Sequence, residues 1–447
     1  MKRMIYDDLL AWKNQSDRMP LLLEGVRQCG KTYILKEFGK ENYKDVAYFN
    51  FEKNPDLGDV FRPDLEPKRI ITQLSLILGR KIEPETTFVV FDEIQFCGRA
   101  LTSLKYFCEE IPEYHIACAG SLLGVLLSKP HSFPVGKVNR LKMGPMSFKE
   151  FLLANSEEQL VGFIDENDPT ERILEPLSNK LKAYLDQYLI IGGMPAAVAI
   201  WIKDKDIRRV EMKLDEIIKD YMGDFSKHAP ESITKLTLIW DSIPVQLAKD
   251  NNKFVFGHVK TGARSRDLED ALEWIIDAGL AHKVKKVDPP RVPLSIYADP
   301  ASFKIYLADV GILRRVAKLP SDFLFTNNKD FDIFRGMIAE NYVLNELIAS
   351  TGNVPYYWKS KGVAEVDFIA QIDGNAVPIE VKAGSNTLSK SLSEYIKKYS
   401  PAIAVTISMI NGKNGVINNI PLYAAWRTRS QILDEICDQS STTTEST

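Results

Sequence analysis

Residues 20–35, PLLLEGVRQCGKTYIL, determine how the N-terminal part of the chain folds. An apolar run ends at Gly25, and five positions later Gly30, Lys31 and Thr32 open a segment with helical character. This is the GxxxxGK[ST] pattern of a P-loop, whose glycines let backbone N–H groups curl toward phosphate oxygens. The lysine supplies a cation for the phosphates, and the threonine hydroxyl is a ligand for phosphate-bound Mg²⁺. The pattern predicts a strand, a phosphate-binding loop and a helix.

The predicted nucleotide-binding residues are those of the loop and the first helical turn. They are Gly25, Arg27, Gln28, Cys29, Gly30, Lys31, Thr32 and Tyr33. The alternative, a glycine turn beside an unrelated lysine, is disfavoured by a second pattern.

The second pattern is TFVVFDEIQ at residues 87–95, in which four apolar residues run directly into Asp92 and Glu93. Such a run is typical of a buried parallel strand, and open α/β sheets place ligands at the carboxyl ends of these strands. We expect Asp92 to hold the Mg²⁺ shell and Glu93 to orient or deprotonate the attacking water.

The amino-acid composition limits the class of protein and the number of domains. The chain has 447 residues, 45% hydrophobic and 26% charged, which is typical of a soluble protein with two or three domains. A net charge of −3 excludes a global attraction to nucleic acid or anionic membrane. Cysteines without CxxC spacing and the absence of a signal peptide favour the cytoplasm. The long uncharged stretch at residues 188–202 is too short to span a membrane.

Strands and helices alternate through the predicted first domain, residues 1–163. This order indicates a parallel sheet with crossover helices. The predicted strands after the first are residues 46–52, 87–95, 115–120 and 138–143, and the predicted helices besides the P-loop helix are residues 6–12, 70–78, 104–110 and 122–127.

Two further catalytic candidates lie in this domain. Ser121, at the end of the strand 115–120, can sense the γ-phosphate or the water; it can equally cap the helix that follows, and both roles are compatible. Arg140 can stabilise transition-state charge, in cis or across a subunit boundary, or can simply be a surface arginine.

Five motifs carry a family resemblance: GVRQCGKT, FDEIQ, AGSLLG, PMSFKEF and YLIIGGMP. They resemble an uncharacterised family of bacterial and archaeal AAA-type P-loop ATPases whose C-terminal domain of unknown function is similar to restriction-endonuclease-like nucleases. The likeness reaches about Arg429. It implies ATP and Mg²⁺ as cofactors and supplies no substrate. The sequence departs from many relatives at Cys29 and Ser121, and neither departure should disable nucleotide binding.

The middle of the chain is predicted to be largely helical. Residues 164–225 carry helical periodicity interrupted by GGMP, and the resemblance implies a lid that closes over the nucleotide. Residues 226–330 read as two helices and a basic strand, AHKVKKV, which is a winged-helix order. The candidates for phosphate contacts with DNA are Arg264, Arg266, Lys283, Lys285 and Lys286. Acidic residues on the second helix leave a structural or protein-contacting role equally open.

The predicted last domain, residues 331–430, contains a helix with Glu340 and two strands joined by a DG turn. Glu380 and Lys382 project from one face, and Asp367 on the paired strand can join them. The resulting D-x(12)-E-x-K pattern resembles the PD-(D/E)XK nuclease core, with Glu340 as the helical acid.

The resemblance implies Glu340, Asp367 and Glu380 as metal ligands and Lys382 as the residue that orients or deprotonates the attacking water. The adjacent Glu365 is open between a further ligand and a partner of Lys382. The pattern is degenerate, because charged residues are common on strand faces.

The sequence therefore predicts an α/β multi-domain protein: an AAA-type parallel sheet with a helical lid, a winged-helix-like middle and a restriction-endonuclease-like C-terminal domain. Residues 431–447 are expected to be a solvated tail. One functional hypothesis is an ATP-governed nuclease acting on DNA or RNA. The other is a non-cleaving NTP switch or scaffold for a protein or nucleic-acid partner. The sequence leaves the oligomeric state open.

Overall fold

The computed structural model describes residues 1–121, 123–127, 136–249, 253–325, 331–384 and 388–444. The chain folds into two compact units. The first comprises residues 1–145 and 273–280, and the second comprises residues 146–272 and 281–447. No described helix is long and apolar enough to cross a membrane.

The first unit is built on a five-stranded sheet in the order β2-β3-β4-β1-β5, and all of its strand pairs are parallel. Its elements are α1 (Ile5–Asn14), β1 (Leu21–Glu24), α2 (Lys31–Asn42), β2 (Asp45–Asn50), α3 (Pro67–Leu78), β3 (Thr87–Asp92), α4 (Gly98–Glu110), β4 (His115–Ala119), α5 (Leu123–Leu127) and β5 (Asn139–Lys142). Every residue of β1, β3 and β4 is buried, because helices of a parallel sheet cover both of its faces. The predicted parallel sheet is confirmed. Leu122, the first residue of the helix predicted at 122–127, lies outside the described residues.

The strand register sets the position of the predicted nucleotide site. Leu22 lies opposite Cys118, and Asp92 lies opposite Ala119. The carboxyl ends of β1, β3 and β4 therefore meet at one edge of the sheet. That edge carries the P-loop, Asp92 and Ser121.

The second unit begins with helices and continues into a mixed sheet. Its helices are α6 (Phe148–Ala154), α7 (Glu158–Glu166), α8 (Glu175–Ile191), α9 (Pro195–Asp204), α10 (Ile207–His228), α11 (Ile233–Leu247), α12 (Phe256–Val259), α13 (Ser265–Asp277, whose last residues belong to the first unit), α14 (Val310–Val316), α15 (Asp332–Thr351), α16 (Lys390–Tyr399) and α17 (Thr428–Thr444). The residues expected to form a solvated tail thus continue a helix as far as Thr444.

Two of the motifs noted in the sequence pack against each other in this unit. The break at GGMP ends α8, and Gly193 O accepts a hydrogen bond from Met146 N at 2.7 Å. A Cβ atom at Gly193 would lie 2.0 Å from the carbonyl oxygen of Met146, so this approach requires glycine. Ser147 then starts α6 with a capping box that includes Glu150.

The sheet of the second unit has eight strands in the order β12-β13-β11-β10-β9-β8-β6-β7. They are β6 (Ala281–Val287), β7 (Ala298–Leu307), β8 (Tyr356–Lys359), β9 (Glu365–Ile372), β10 (Asn375–Val381), β11 (Ala404–Ser408), β12 (Gly412–Asn414) and β13 (Ile417–Pro421). The basic strand of the predicted wing is β6, and it pairs with both β7 and β8. The sheet therefore runs across the boundary predicted between residues 330 and 331, and the winged-helix and domain assignments stay predictions.

The hairpin predicted at Asp373–Gly374 joins β9 to β10. Both turn residues have positive φ, +43° and +75°, which suits a tight two-residue β-turn. The pairing places Ile379 opposite Phe368, so that Glu380 and Asp367 are neighbours across the two strands.

Candidate functional site

The backbone of the P-loop needs its glycines at two points. Gly25 has a φ of +150°, and a Cβ atom there would lie 2.0 Å from the carbonyl oxygen of Met143. Gly30 has a φ of +101° at the start of α2, and Gln28 also has a positive φ of +65°. These left-handed residues carry the loop into the N-terminus of α2, and the first N–H groups of a helix favour anions.

Lys31 is buried, and its ammonium lies over the loop itself. Its Nζ donates hydrogen bonds to the carbonyl oxygens of Gly25 at 2.6 Å and Val26 at 2.9 Å. These oxygens hold the cation at the mouth of the loop, where a phosphate group would compete for it.

Asp92 is the centre of a hydrogen-bond network at the end of β3. Its carboxylate accepts hydrogen bonds from Thr32 Oγ1 at 3.0 and 3.2 Å and from the backbone N–H of Glu93 at 3.1 Å. The Tyr48 hydroxyl and Asn50 Nδ2 also donate to it. Burial and the Asp92 carboxylate raise the pKa of Tyr48, so this phenol stays a donor. The network fixes the Asp92 oxygens beside Thr32.

The backbone of Glu93 is left-handed, with a φ of +50°. Its Oε2 accepts hydrogen bonds from Gln95 Nε2 at 2.5 Å and from both the backbone N–H and the hydroxyl of Ser121, at 3.4 and 3.3 Å. Ser121 therefore contacts the carboxylate predicted to act on water. Both roles predicted for Ser121 stay predictions.

The other predicted residues of this edge have distinct environments. Arg140 is half-exposed on β5 and its Nε forms an ion pair with Glu24, the residue before Gly25. Cys29 is fully buried, and its Sγ donates to the carbonyl oxygen of Met143 at 3.3 Å. Arg27 and Gln28 are half-buried, and Tyr33 is exposed.

Residues 273–280 pack against this site although they are distant in sequence. A Cβ atom at Gly279 would lie 3.4 Å from the backbone nitrogen of Val26, and one at Gly124 would lie 1.9 Å from the carbonyl oxygen of Asp277. Gly279, which follows the end of α13, thus lies beside the P-loop residue Val26. No short sequence pattern indicates this contact, because it joins segments that are far apart in the chain.

A second cluster of charged side chains lies on β9 and β10 of the second unit. Lys382 Nζ is 2.7 Å from Glu380 Oε1, which also accepts a hydrogen bond from Ser389 Oγ at 2.8 Å. The backbone N–H of Val381 donates to Asp367 Oδ2 at 2.8 Å. The structure thus brings Asp367, Glu380 and Lys382 together.

Two fully buried residues of β7 complete this cluster. Lys304 Nζ is 2.5 Å from Glu365 Oε1, and the Tyr306 hydroxyl donates to Glu340 Oε2 at 3.0 Å. Lys359 Nζ lies 2.9 Å from Glu365 Oε2. Glu365 therefore pairs with these two lysines, and the alternative that made it a partner of Lys382 is wrong.

The carboxylates of the cluster influence one another. Burial raises the pKa of Asp367 well above its ordinary value, and the charges of Glu380 and Glu340 raise it further. Burial likewise raises the pKa of Glu340. Burial disfavours the Lys304 ammonium, but the surrounding carboxylates outweigh it and raise the pKa of that lysine.

A divalent cation fits part of this cluster. Within the described ranges, no group of three or more His, Cys, Asp or Glu side chains could hold a metal ion, so a three-carboxylate centre with Glu340 has no support. Asp367 and Glu380 remain as a pair, and Mg²⁺ commonly takes one or two carboxylates, with waters and phosphates completing its shell. Glu380 is 3% exposed, and its Oε2 has no hydrogen-bond partner among the described residues.

The basic residues proposed for DNA contact lie on two elements, the start of α13 and the strand β6. Arg264 and Arg266 are exposed at the start of α13, and Arg266 Nε is 3.8 Å from Asp267. Lys283 Nζ lies 4.5 Å from the centre of the Phe303 ring. Lys285 is exposed and Lys286 half-buried on β6.

Three known protein families match successive parts of the chain. Residues 17–152 match the family described as "AAA domain". Residues 182–322 and 335–423 match two families described as domains of unknown function, DUF8612 and DUF4143. The first match and the five-stranded parallel sheet show that the first unit has the fold of an AAA-type P-loop domain. No curated protein sequence matches the chain.

Solved structures with some similarity include a Walker-type ATPase of Pyrococcus abyssi, at 14% identity over 71% of this chain and 95% of that one, with a TM-score of 0.45. The PCH-2 protein of C. elegans has 13% identity over 48% and 67% of the two chains, with a TM-score of 0.28. The Aeropyrum pernix ORC1 protein in complex with DNA has 12% identity over 72% and 92%, with a TM-score of 0.26. TM-scores of this size do not establish a shared overall fold.

Proposed function

We propose that the first unit binds ATP and hydrolyses it with Mg²⁺, and that the second unit acts on or binds nucleic acid through the cluster of Asp367, Glu380 and Lys382. The observation that carries the first part is the hydrogen bond between Thr32 and Asp92, which brings the P-loop and the acidic strand end into one site.

Each residue of the nucleotide site has a role that its contacts support. Lys31 leaves the loop carbonyls and binds the β- and γ-phosphates, while the loop N–H groups hold the same oxygens. Thr32 and Asp92 would hold Mg²⁺, which offsets negative charge on the phosphates when bound. Glu93, held by Ser121 and Gln95, orients the attacking water and accepts its proton.

The test of the nucleotide site is ATP binding by Lys31→Ala. We expect binding to be lost, because the variant removes the cation that neutralises the phosphates. Lys40→Ala is the matched control, since Lys40 lies on the same helix with an exposed side chain that pairs with Glu37. Wild-type affinity in Lys31→Ala would refute the site.

The second part of the proposal is supported by the arrangement of the carboxylates on β9 and β10. Asp367 and Glu380 would hold one Mg²⁺, and the Lys382 ammonium lies beside Glu380, where it can orient a water for attack on a phosphodiester. A bound Mg²⁺ would activate that water and offset the developing charge.

The second part is tested by Mg²⁺-dependent cleavage of single- and double-stranded DNA and RNA, with and without ATP. We expect Glu380→Ala to lose cleavage and Glu394→Ala, an exposed residue on α16, to retain it. Cleavage that persists in Glu380→Ala would refute this site. The absence of cleavage in the wild type, with binding of a protein or nucleic acid that changes between ATP and ADP, would instead establish the non-cleaving switch.

A further inference from the structure

The charged cluster on β9 and β10 contains a cation of its own. Lys304 is fully buried on β7, its Nζ lies 2.5 Å from Glu365 Oε1, and the Tyr357 ring centre is 5.0 Å away. Burying an ammonium group is strongly disfavoured unless opposite charges surround it. Its position among carboxylates identifies Lys304 as a fixed counter-ion of the cluster.

Lys304, Lys359 and Tyr306 together decide which carboxylates are available to a metal. Both oxygens of Glu365 are occupied by ammonium groups, Oε1 by Lys304 and Oε2 by Lys359. Glu340 Oε2 accepts the hydrogen bond of Tyr306, which lies two residues from Lys304 on β7. Asp367 and Glu380 remain as the ligand pair, because Lys382 and Ser389 bind only the Oε1 atom of Glu380 and leave its Oε2 atom without a partner among the described residues.

Two buried polar atoms point to a ligand beside this remaining pair. One is Glu380 Oε2, and the other is the hydroxyl of Thr406, which lies directly opposite Glu380 on the neighbouring strand β11. Thr406 is fully buried, and its Oγ1 has no hydrogen-bond partner within the part of the chain that the structure describes. Buried polar atoms almost always have partners, so a cation with its bound water would satisfy both.

Charge balance limits the number of cations. The cluster holds four carboxylates, Glu340, Glu365, Asp367 and Glu380, against the three ammonium groups of Lys304, Lys359 and Lys382. One divalent cation would change the formal charge of the fully ionised cluster from −1 to +1. A second would leave a charge of +3 in a buried site, which is strongly disfavoured.

We propose that Lys304 is a positioning residue that takes the place of a second metal ion, so that the cluster binds a single divalent cation at Asp367 and Glu380. This inference rests on the metal centre in the proposed function. Removing the Lys304 charge should free the Oε1 atom of Glu365 and create a second cation site.

The test counts bound Mn²⁺ by electron paramagnetic resonance in the nucleotide-free full chain. The number of bound Mn²⁺ ions that Glu380→Gln loses relative to the wild type gives the occupancy of this centre. We expect that occupancy to be one. Lys304→Met keeps an unbranched side chain of similar length and is expected to bind one Mn²⁺ more than the wild type. The extra ion should disappear in Lys304→Met with Glu365→Gln.

Lys359→Met is the matched control, because it removes the other partner of Glu365 and leaves Lys304 in place; its count should equal that of the wild type. Thermal melting establishes that each variant is folded. If Lys304→Met does not fold, Lys304→Gln replaces it in the experiment. A wild-type occupancy of two, or no additional ion in the folded Lys304 variant, would overturn the inference and leave the metal centre intact. A wild-type occupancy of zero would overturn both, while ATP binding would be unaffected.

Discussion

Glu346 offers a quantitative test of how the second unit is built. This residue of α15 is buried, and its Oε1 accepts a hydrogen bond from the backbone N–H of Phe148, the first residue of α6, at 2.8 Å. Burial raises the pKa of Glu346 to about 8, and the nearby Glu150 adds to the effect. The unfolded carboxyl ionises near its ordinary value, so the folded unit loses stability as the pH rises from about 4.5 to about 8.

The size of this stability loss follows from the difference between the pKa values of Glu346 in the folded and unfolded chain. At about 1.4 kcal/mol per pH unit, ionisation of Glu346 costs the folded unit about 5 kcal/mol above pH 8. Glu346→Gln removes this cost and keeps the acceptor for Phe148. Its new NH₂ group replaces Oε2, which has no hydrogen-bond partner among the described residues, at a cost of about 1–3 kcal/mol.

We therefore expect Glu346→Gln to be less stable than the wild type at pH 5 and more stable, by about 2–4 kcal/mol, at pH 9. Denaturation by urea at several pH values, followed by circular dichroism, measures the difference, and Glu394→Gln on the exposed surface of α16 is the control. A difference between wild type and Glu346→Gln that stays constant from pH 5 to pH 9 would refute the reasoning.

The remaining predictions concern the P-loop. Gly25→Ala places a Cβ atom 2.0 Å from the carbonyl oxygen of Met143, so the Kd for ATP should rise by about tenfold or more, whereas Gly98→Ala, whose added Cβ would meet nothing within 4 Å, should bind normally. Equal Kd values for the two variants would contradict the account of the loop. Brief alkylation of the folded protein should modify the exposed Cys437 and spare the buried Cys29, as peptide mass analysis would show; rapid labelling of Cys29 would contradict its burial.

Much of the nucleotide site could be predicted from the sequence because its parts have local signatures. An apolar strand followed by GxxxxGKT, and a second apolar strand followed by Asp92 and Glu93, each define a strand end. The parallel sheet then brings the two ends together. Tyr48 and Asn50 were missed because their contact with Asp92 depends on the register between β2 and β3, which no short pattern encodes.

The C-terminal cluster was predicted less completely for a similar reason. Asp367, Glu380 and Lys382 lie on one hairpin, so the strand period of two was enough to group them. Lys304 joins them only through the pairing of β7 with β6 and of β6 with β8, which connects segments far apart in the chain. Its position within the apolar run FKIYL was the one available signal that this lysine is buried.

The central claim, that the first unit hydrolyses ATP with Glu93 acting on the attacking water, is tested most directly by Glu93→Gln. Its affinity for ATP and its turnover of saturating Mg²⁺–ATP should be measured beside the wild type and Glu110→Gln, an exposed residue at the end of α4. We expect Glu93→Gln to bind ATP as the wild type does and to turn it over about 10²–10⁴ times more slowly, with Glu110→Gln unchanged. Turnover by Glu93→Gln at the wild-type rate would contradict the account.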